Sequence, residues 1–224
     1  MDAQNPPPSA TGAARINHVA FDLDGVLIDS LDAMRLSWDR TCNELDLQIP
    51  FDGGYSKLIG IPFPEILASL NVPIGKRSDV ASKYFTYAND HQDLIKPFPC
   101  ALEVARALQI AGVSLSIVTS KPRHRALVLI DEFFPGVRWN LVCPEDLPAG
   151  KGKPQPYSLN KAAEFFGVSG TDSLYVGDMS VDHAAAASAG YHYLHAEWGY
   201  GRAPAGVERI ASIEQVATRV LGVA

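Results

Sequence analysis

The sequence predicts an α/β fold in which helices cover both faces of a parallel sheet. From residue 114 onward, short apolar runs alternate with segments of helical periodicity, which is typical of a doubly wound parallel sheet. Residues 30–96 contain helical periodicity without a convincing strand. We therefore expect a doubly wound core, formed by residues 15–30 and 97–224, with an inserted all-helical cap at residues 31–96.

The composition limits the possible classes of protein. The chain has 224 residues, of which 47% are hydrophobic and 20% are charged, enough for one sizeable core or for a core with a small additional domain. The net charge of −6 argues against binding to a nucleic-acid backbone or to an anionic membrane surface. No apolar stretch approaches the roughly 20 residues that span a bilayer. We therefore expect neither a nucleic-acid nor a membrane partner.

The N-terminus and the cysteines give information about the cellular location of the protein. Residues 1–14 include the run Pro6–Ser9 and lack a basic segment followed by an apolar one, so we interpret them as a flexible leader. The three cysteines are widely spaced in apolar surroundings, which predicts buried thiols in a reducing compartment and a cytoplasmic location. They are Cys42, Cys100 and Cys143.

The apolar run from His18 to Phe21 predicts a buried strand that ends at a turn, because two carboxylates and a glycine follow it at once. Asp22 and Asp24 then lie at the carboxyl end of a strand, where open α/β sheets bind their ligands. Side chains alternate between the faces of a strand, so these two acids point the same way and repel each other unless a cation or a proton holds them. The pair favours a hard cation such as Mg²⁺.

Helices are predicted throughout the segment that follows. After the acidic turn, apolar residues recur at intervals of three and four, which describes one face of a helix. Pro50–Gly54 interrupt this pattern, and a loop that turns at Gly60 leads into the next helix. The predicted cap helices span residues 31–47, 65–70 and 76–94.

Pro97-Phe98-Pro99 marks the return to the α/β core, because proline restricts its own backbone and the residue before it. Gly167 and Gly190 close two of the later helices. The remaining predicted elements are helices at residues 101–108, 125–134, 157–166, 182–189 and 213–221, and strands at 113–118, 139–142, 173–176 and 191–194.

Polar groups stand at the ends of further core elements. Thr119 and Ser120 end a strand and offer a hydroxyl and backbone N–H donors that suit a phosphoryl oxygen. Lys153 stands among turn residues before a helix, where its charge would offset that of a phosphoryl group. Asp178 ends another strand, and Asp182 follows one helical turn later. Because the carboxyl ends of parallel strands meet at one edge of a sheet, we expect these groups to converge.

Asp22-Leu23-Asp24-Gly25-Val26, taken with these later groups, resembles the four motifs of the haloacid dehalogenase-like superfamily of phosphohydrolases in their chain order. The resemblance extends from Asn17 to about Gly199. Haloacid dehalogenases themselves carry no acid at the second position of the opening signature, so Asp24 favours phosphoryl transfer over dehalogenation.

The resemblance implies a role for each residue. Asp22 is expected to be the nucleophile that forms an aspartyl-phosphate, and Asp24 the general acid and base. Thr119 and the Ser120 amide would bind the phosphoryl group, and Lys153 would steady both that group and Asp22. The implied ligands of the Mg²⁺ cofactor are Asp22, the backbone carbonyl of Asp24, Asp178 and, as a more distant or alternate ligand, Asp182.

The position of the helical insert, directly after the first motif, resembles the C1-capped branch of the superfamily. That branch includes phosphoglycolate phosphatases, small pyrophosphatases, sugar- and nucleotide-phosphate phosphatases and β-phosphoglucomutase. Leu58–Phe63 and Val118–Pro122 are most similar to the phosphoglycolate phosphatase and pyrophosphatase relatives. Cys100 departs from the pattern, because many relatives have glycine where the chain returns from the cap.

The function implied is a Mg²⁺-dependent phosphatase that acts on a small phosphorylated metabolite, as a monomer or a small homo-oligomer. Two alternatives stay open: a β-phosphoglucomutase-like isomerase and a non-catalytic binding protein of the same fold. The residues after Gly60 are apolar and then acidic, whereas β-phosphoglucomutases have a basic residue there, so water is the expected acceptor. Lys57, in the cap loop, is expected to bind a second anionic group of the substrate.

Other polar and aromatic residues are open to structural interpretations. Tyr55 and Phe63 either wall the substrate or pack within the cap. Three basic residues at a helix start could reach a substrate anion, but such residues are more often solvated, and we interpret them so: Arg123, His124 and Arg125. Three histidines lack paired acidic ligands at a suitable spacing and are not expected to bind metal: His183, His192 and His195.

Overall fold

The structure is a computed structural model that describes residues 16–222, and its core is a six-stranded, fully parallel sheet with the order β5-β4-β1-β6-β7-β8. The strands are β1 (His18–Phe21), β2 (Ile28–Asp29), β3 (Lys96–Pro97), β4 (Ser114–Val118), β5 (Asn140–Val142), β6 (Ser173–Gly177), β7 (His192–Ala196) and β8 (Arg209–Ile210). The helices are α1 (Leu31–Glu44), α2 (Phe63–Ser69), α3 (Ile74–Asp90), α4 (Ala101–Ile110), α5 (Arg123–Phe133), α6 (Tyr157–Phe166), α7 (Ser180–Ala189) and α8 (Glu214–Leu221).

The strand β1 lies between β4 and β6, with His18 opposite Ser114 on one side and Ser173 on the other. Alternate residues of β1 enter different apolar clusters. Val19 and Phe21 pack with residues of α4, α5 and α8, whereas Ala20 packs with residues of α6 and α7. Helices therefore cover both faces, as a buried parallel sheet requires. The predicted α/β fold class is confirmed.

The helices α1, α2 and α3 pack around an apolar cluster of their own. The chain leaves the sheet through β2 and returns through β3, and these two short strands pair antiparallel with Ile28 opposite Pro97. Trp38 is fully buried between the helices, and its indole Nε1 donates to the carbonyl of Ile49 at 2.9 Å. The cluster includes Trp38, Phe51, Tyr55, Phe63, Leu67, Val80 and Tyr84.

Several boundaries differ from those predicted. The strands β2, β3 and β8 were not predicted, because each has two residues and two residues show no periodicity. The third cap helix ends at Asp90 instead of residue 94, and a single 3₁₀ turn follows it. Three helices begin earlier than predicted because a proline occupies the extended position just before each of them: Pro62, Pro73 and Pro122.

Cys100 is exposed, so the prediction that all three cysteines are buried is wrong. It precedes α4 with φ +62°, a left-handed conformation that favours glycine and turns its side chain to solvent. Cys42 and Cys143 are buried as predicted. The predicted leader at residues 1–14 lies outside the described residues. Across residues 16–222, no helix combines the length and apolar character needed to cross a membrane.

Candidate active site

The turn after β1 brings Asp22 and Asp24 to the carboxyl edge of the sheet. The Asp22 amide donates to the carbonyl of Val176 in β6, and the Asp22 carboxylate accepts from the Leu23 amide at 2.7 Å. Gly25 completes the turn with φ +86°, and a Cβ there would lie 2.3 Å from Asp178 Oδ2. A glycine is therefore needed at this position for two reasons, its conformation and the close approach of Asp178.

Lys153 joins two of the buried carboxylates. Its Nζ lies 2.9 Å from Asp22 Oδ2 and 2.7 Å from Asp182 Oδ1, and its side chain is only 2% exposed. Burial alone would lower the pKa of Lys153, but the charges of Asp182 and Asp22 raise it above its usual range. Burial raises the pKa of Asp22 to about 7, and Lys153 opposes that rise. Lys153 is therefore a fixed cation beside the predicted nucleophile.

Both carboxylate oxygens of Asp182 accept hydrogen bonds from the protein. Its Oδ1 accepts from Lys153 Nζ and from the Tyr175 hydroxyl at 3.0 Å, and its Oδ2 accepts from the backbone amides of Asp178 and Met179. The amides are available because Asp182 lies in the first turn of α7. These four contacts make Asp182 an anchor for Lys153 and for the Asp178 backbone.

Asp178 is the carboxylate with an unused oxygen. Its Oδ2 accepts from the Tyr200 amide at 2.7 Å, while its Oδ1 is buried without a hydrogen-bond partner in the part of the chain that the structure describes. Burial, followed by the charges of Asp182 and Asp22, raises the pKa of Asp178 well above its usual range. A buried carboxylate oxygen with no donor is the kind of group that a metal ion satisfies.

The acidic cluster fits a hard cation. Asp22, Asp178 and Asp182 each offer an oxygen within 4.8 Å of the others, and Lys153 is the one cation that contacts them among the described residues. Three carboxylates beside one ammonium leave an excess of negative charge. An oxygen-rich site of this charge suits Mg²⁺, and Asp22 and Asp178 are the carboxylates that could hold the ion directly.

Asp24 faces a different set of partners. Its Oδ1 accepts from the Ser30 hydroxyl at 2.5 Å and lies 3.0 Å from Lys121 Nζ. The Asp24 side chain is 15% exposed and borders the cleft described below. The sequence prediction missed Lys121, although it directly follows Thr119-Ser120 and that adjacency was a usable signal.

Thr119 and Ser120 lie at the end of β4, as predicted. The Lys121 amide donates to Thr119 Oγ1 at 3.1 Å, which fixes the turn. The Ser120 hydroxyl donates to the carbonyl of Gly60 in the helical segment at 2.6 Å, so it links the sheet edge to the loop that follows α1. The Ser120 side chain is thus engaged with the cap loop.

A cavity of about 80 Å³ lies between this edge and the helices. Asp22, Asp24 and Thr119 line it from the core. Aromatic residues of the helices line it as well, and the hydroxyls of two of them, Tyr55 and Tyr84, lie 2.8 Å apart. The other lining residues include Phe63, Phe85 and Arg125. Tyr55 and Phe63 therefore do both things considered above: they line the cavity and pack within the helical cluster.

Arg125 is not a solvated residue, and that interpretation is wrong. Its side chain crosses from α5 to the last turns of α3, where its guanidinium donates to the Ala88 carbonyl at 2.9 Å and contacts Asn89 Oδ1 and the Phe85 carbonyl. The residue is 9% exposed. The carbonyls at a helix end lack intrahelical partners, which explains why a long cation reaches them.

Lys57 is not brought to the cavity. It lies in the 3₁₀ turn Tyr55–Leu58, which directs Tyr55 into the helical cluster and leaves Lys57 exposed. The contact expected of Lys57 with a second anionic group stays a prediction, and Lys121 and Arg125 are the cations that border the cavity. The histidines at 183, 192 and 195 contribute no ligand to the acidic cluster.

The fold and the site together define a class of protein: an α/β enzyme with a buried acidic site at the carboxyl edge of its sheet. Residues 19–196 match the haloacid dehalogenase-like hydrolase family. A phosphoglycolate phosphatase from Xylella fastidiosa is 31% identical over 201 residues, which cover 85% of this chain and 84% of the relative. A pyrophosphatase (PpaX) from Bacillus cereus is 29% identical and is covered to 84%.

A solved structure of a hydrolase from Pseudomonas syringae superimposes with a TM-score of 0.80 at 22% identity, over 92% of this chain and 98% of that one. The chain belongs to the haloacid dehalogenase-like hydrolase family. The family predicted from the sequence motifs is confirmed, as is the resemblance to its phosphoglycolate phosphatase and pyrophosphatase members.

Proposed function

We propose that this enzyme is a Mg²⁺-dependent phosphatase that hydrolyses a small phosphorylated metabolite through an aspartyl-phosphate on Asp22. The observation that carries the proposal is the separation of the two acids into different environments. Asp22 is buried against Lys153, whereas Asp24 borders the cavity beside Ser30 and Lys121. A carboxylate nucleophile and a separate proton carrier are what hydrolysis through a phosphoenzyme needs.

Asp22 is oriented for attack by groups on both of its oxygens. The Leu23 amide holds Oδ1 and Lys153 holds Oδ2. One oxygen attacks the phosphorus atom as the ester bond to the leaving oxygen breaks, and an acyl phosphate forms on Asp22. Because the carboxylate is fixed before the substrate arrives, little reorganisation is needed at the moment of reaction.

Asp24 acts as the general acid and the general base. In the first step it gives a proton to the leaving oxygen, and in the second it takes one from the water that attacks the aspartyl-phosphate. Its contacts with Ser30 and Lys121 keep the carboxylate at the border of the cavity. We assign three groups to the phosphoryl oxygens. Thr119 and the Ser120 amide would each donate a hydrogen bond to them, and Lys153 would offset their negative charge.

Mg²⁺ fits the acidic cluster, and we assign Asp22, Asp178 and the backbone carbonyl of Asp24 as its protein ligands, with Asp182 behind them. Bound there, the ion would offset the charge of the phosphoryl group and of the carboxylates around it. The unpartnered Oδ1 of Asp178 supports this assignment.

The substrate is small. A cavity of about 80 Å³, which includes the space beside Asp22 and Thr119, holds only a few water-sized groups. Lys121 and Arg125 border it, which favours a substrate with an anionic group next to the phosphoester, so 2-phosphoglycolate is the first compound to test. We assign residues 31–96 to the cap, residues 15–30 and 97–224 to the core, a cytoplasmic location, and a monomer or small homo-oligomer.

The test is a screen of phosphorylated metabolites with Asp22→Asn beside the wild type. The amide is nearly isosteric but a poor nucleophile, so the variant should fold and lose turnover. Asp131→Asn, an exposed acid on α5, is the matched control and should retain activity. Activity of Asp22→Asn within about tenfold of the wild type, roughly 1.4 kcal/mol of barrier, would exclude Asp22 as the nucleophile.

The same screen separates the hydrolase from a mutase. β-Glucose 1-phosphate should give no glucose 6-phosphate, with or without a bisphosphate primer, while a small phosphomonoester should release inorganic phosphate. Isomer formation without phosphate release, followed by ³¹P NMR, would assign the mutase instead. If the wild type acts on none of these compounds, the result would favour the alternative that the chain is a non-catalytic binding protein of the same fold.

A further inference from the structure

The segment Trp198–Gly201, just after β7, lies against both halves of the acidic site. The Trp198 indole Nε1 donates to the carbonyl of Val26 at 3.1 Å, and the Tyr200 amide donates to Asp178 Oδ2 at 2.7 Å. A Cβ at Gly199 would lie 2.2 Å from the Cβ of Asp178, so the segment approaches as closely as it does only because that residue is glycine.

The hydroxyl of Tyr200 makes a second set of contacts, with the chain that leaves the core toward the helices. It accepts from the Ser30 amide at 2.7 Å and lies 3.2 Å from Asp29 Oδ1. Ser30 in turn donates its own hydroxyl to Asp24 Oδ1 at 2.5 Å. One residue thus touches Asp178 through its backbone and reaches Asp24 through Ser30.

We propose that Tyr200 is a positioning residue for Asp24: its hydroxyl fixes Ser30, and Ser30 fixes the carboxylate that transfers the proton. The proposal rests on the function assigned to Asp24 above. Without the phenol, the Ser30 amide loses its acceptor, and the segment that joins β2 to α1 loses one of its contacts with the core. Asp24 then keeps Lys121 as a partner but loses the fixed direction that Ser30 gives it.

The division of contacts makes Tyr200→Phe a selective variant. The backbone amide that holds Asp178 remains, and the ring remains, so the variant removes only the contacts that the hydroxyl makes with residues 28–30. Tyr191→Phe is the matched control, because the Tyr191 hydroxyl is also buried and donates to one carbonyl, that of Leu159 at 2.8 Å, away from the site.

The experiment compares kcat/KM for an alkyl phosphate, 2-phosphoglycolate, with that for p-nitrophenyl phosphate. This parameter reports the step in which the leaving group departs, and nitrophenolate leaves without a proton while an alkoxide needs one. Tyr200→Phe should lower kcat/KM for the alkyl ester by about tenfold or more and for the nitrophenyl ester by less than about threefold. Ser30→Ala should reproduce this selectivity, and Tyr191→Phe should not. Equal losses on both esters would overturn the proposal.

A second measurement does not depend on turnover. The Ser30 and Tyr200 hydroxyls lie 3.4 Å apart, so the shift of the urea midpoint caused by Tyr200→Phe should be smaller in a Ser30→Ala background than in the wild type, although the Ser30 amide contact remains in both. Additive shifts would overturn the proposal. A wild type that releases no phosphate from any ester would instead refute the proposed function, and the unfolding measurement would still decide whether the two hydroxyls interact.

Discussion

Lys153 is a buried cation between two buried carboxylates, and the three charges depend on one another. Removal of a single member leaves an uncompensated charge in a poorly solvated place, which typically costs about 3–5 kcal/mol. Lys153 satisfies Asp22 and Asp182, but Asp178 has no cationic contact of its own among the described residues. At this scale burial favours a proton or a cation on Asp22 and Asp178, because it raises the pKa of both carboxyl groups.

His18 leads to a prediction about acid stability. Its ring lies fully buried between Ser173 Oγ at 3.1 Å and Ser116 Oγ at 2.9 Å, and burial lowers its pKa to about 4. Between pH 6.5 and 4 the unfolded chain takes up a proton that the folded chain does not, so the free energy of unfolding falls with falling pH. Urea titration should show a loss of about 3 kcal/mol over this range that is missing from His18→Gln.

The control for this prediction is His192→Gln, which changes an exposed histidine at the start of β7. That variant keeps the buried His18 ring, so its loss of stability between pH 6.5 and 4 should match that of the wild type. An identical pH dependence in His18→Gln and the wild type would show that the buried ring is not responsible.

At the residue scale, the sequence predicted the groups that stand directly at strand ends and missed those whose role depends on packing. Asp22, Thr119 and Asp178 follow β1, β4 and β6, so adjacency alone locates them. Tyr200 gave a weaker signal, an aromatic residue between two glycines. Arg125 gave none, because the reach of its side chain to α3 depends on how two distant helices pack. The exposed position of Lys57 was not predictable for the same reason, since a short 3₁₀ turn decides which way each of its residues points.

At the scale of elements, the helices between β2 and β3 meet the core through few polar contacts. Arg125 of α5 contacts the last turns of α3, and Ser120 contacts the loop at Gly60. The elements themselves were predictable, because α1 and α3 have long apolar stripes, but this docking was not. A contact between helices distant in sequence leaves no local pattern.

Arg125→Met should loosen α3 without unfolding the sheet. The variant removes the donors that satisfy carbonyls at the end of α3, a loss typically of about 1–3 kcal/mol. Hydrogen exchange at the end of α3 should become faster, while exchange in β4 and α4 should not change. Arg106→Met, which also loses a contact to a carbonyl, that of Pro135, is the matched control within the core. Unchanged exchange in α3 would contradict this role of Arg125.

At the scale of the whole molecule, a bound cation should act as a stabilising ligand. With Mg²⁺ at about a hundred times its dissociation constant, the folded state gains about 2.7 kcal/mol, which for a chain of this size is roughly 5–10 °C in melting temperature. Chelation with EDTA should remove activity, and Mg²⁺ should restore it.

Asp178→Asn should abolish this Mg²⁺-dependent shift. It should also melt no lower than the wild type in EDTA, because it removes one charge from a crowded acidic cluster. Asp131→Asn should keep the full shift. Equal shifts in all three proteins, or full activity in chelator with no bound metal, would refute the metal assignment.

The central position of β1 also determines the order in which parts of the protein can fold during synthesis. His18 leaves the ribosome well before its partners Ser116 and Ser173, which follow 98 and 155 residues later. The contacts of α1 with α3 span much shorter stretches of chain, so this pair can pack during synthesis. The acidic turn must wait for β6, which also delivers Asp178. A chain that stops before β6 therefore lacks both Asp178 and the strand that fixes the acidic turn, so the active centre cannot assemble until β6 has been made.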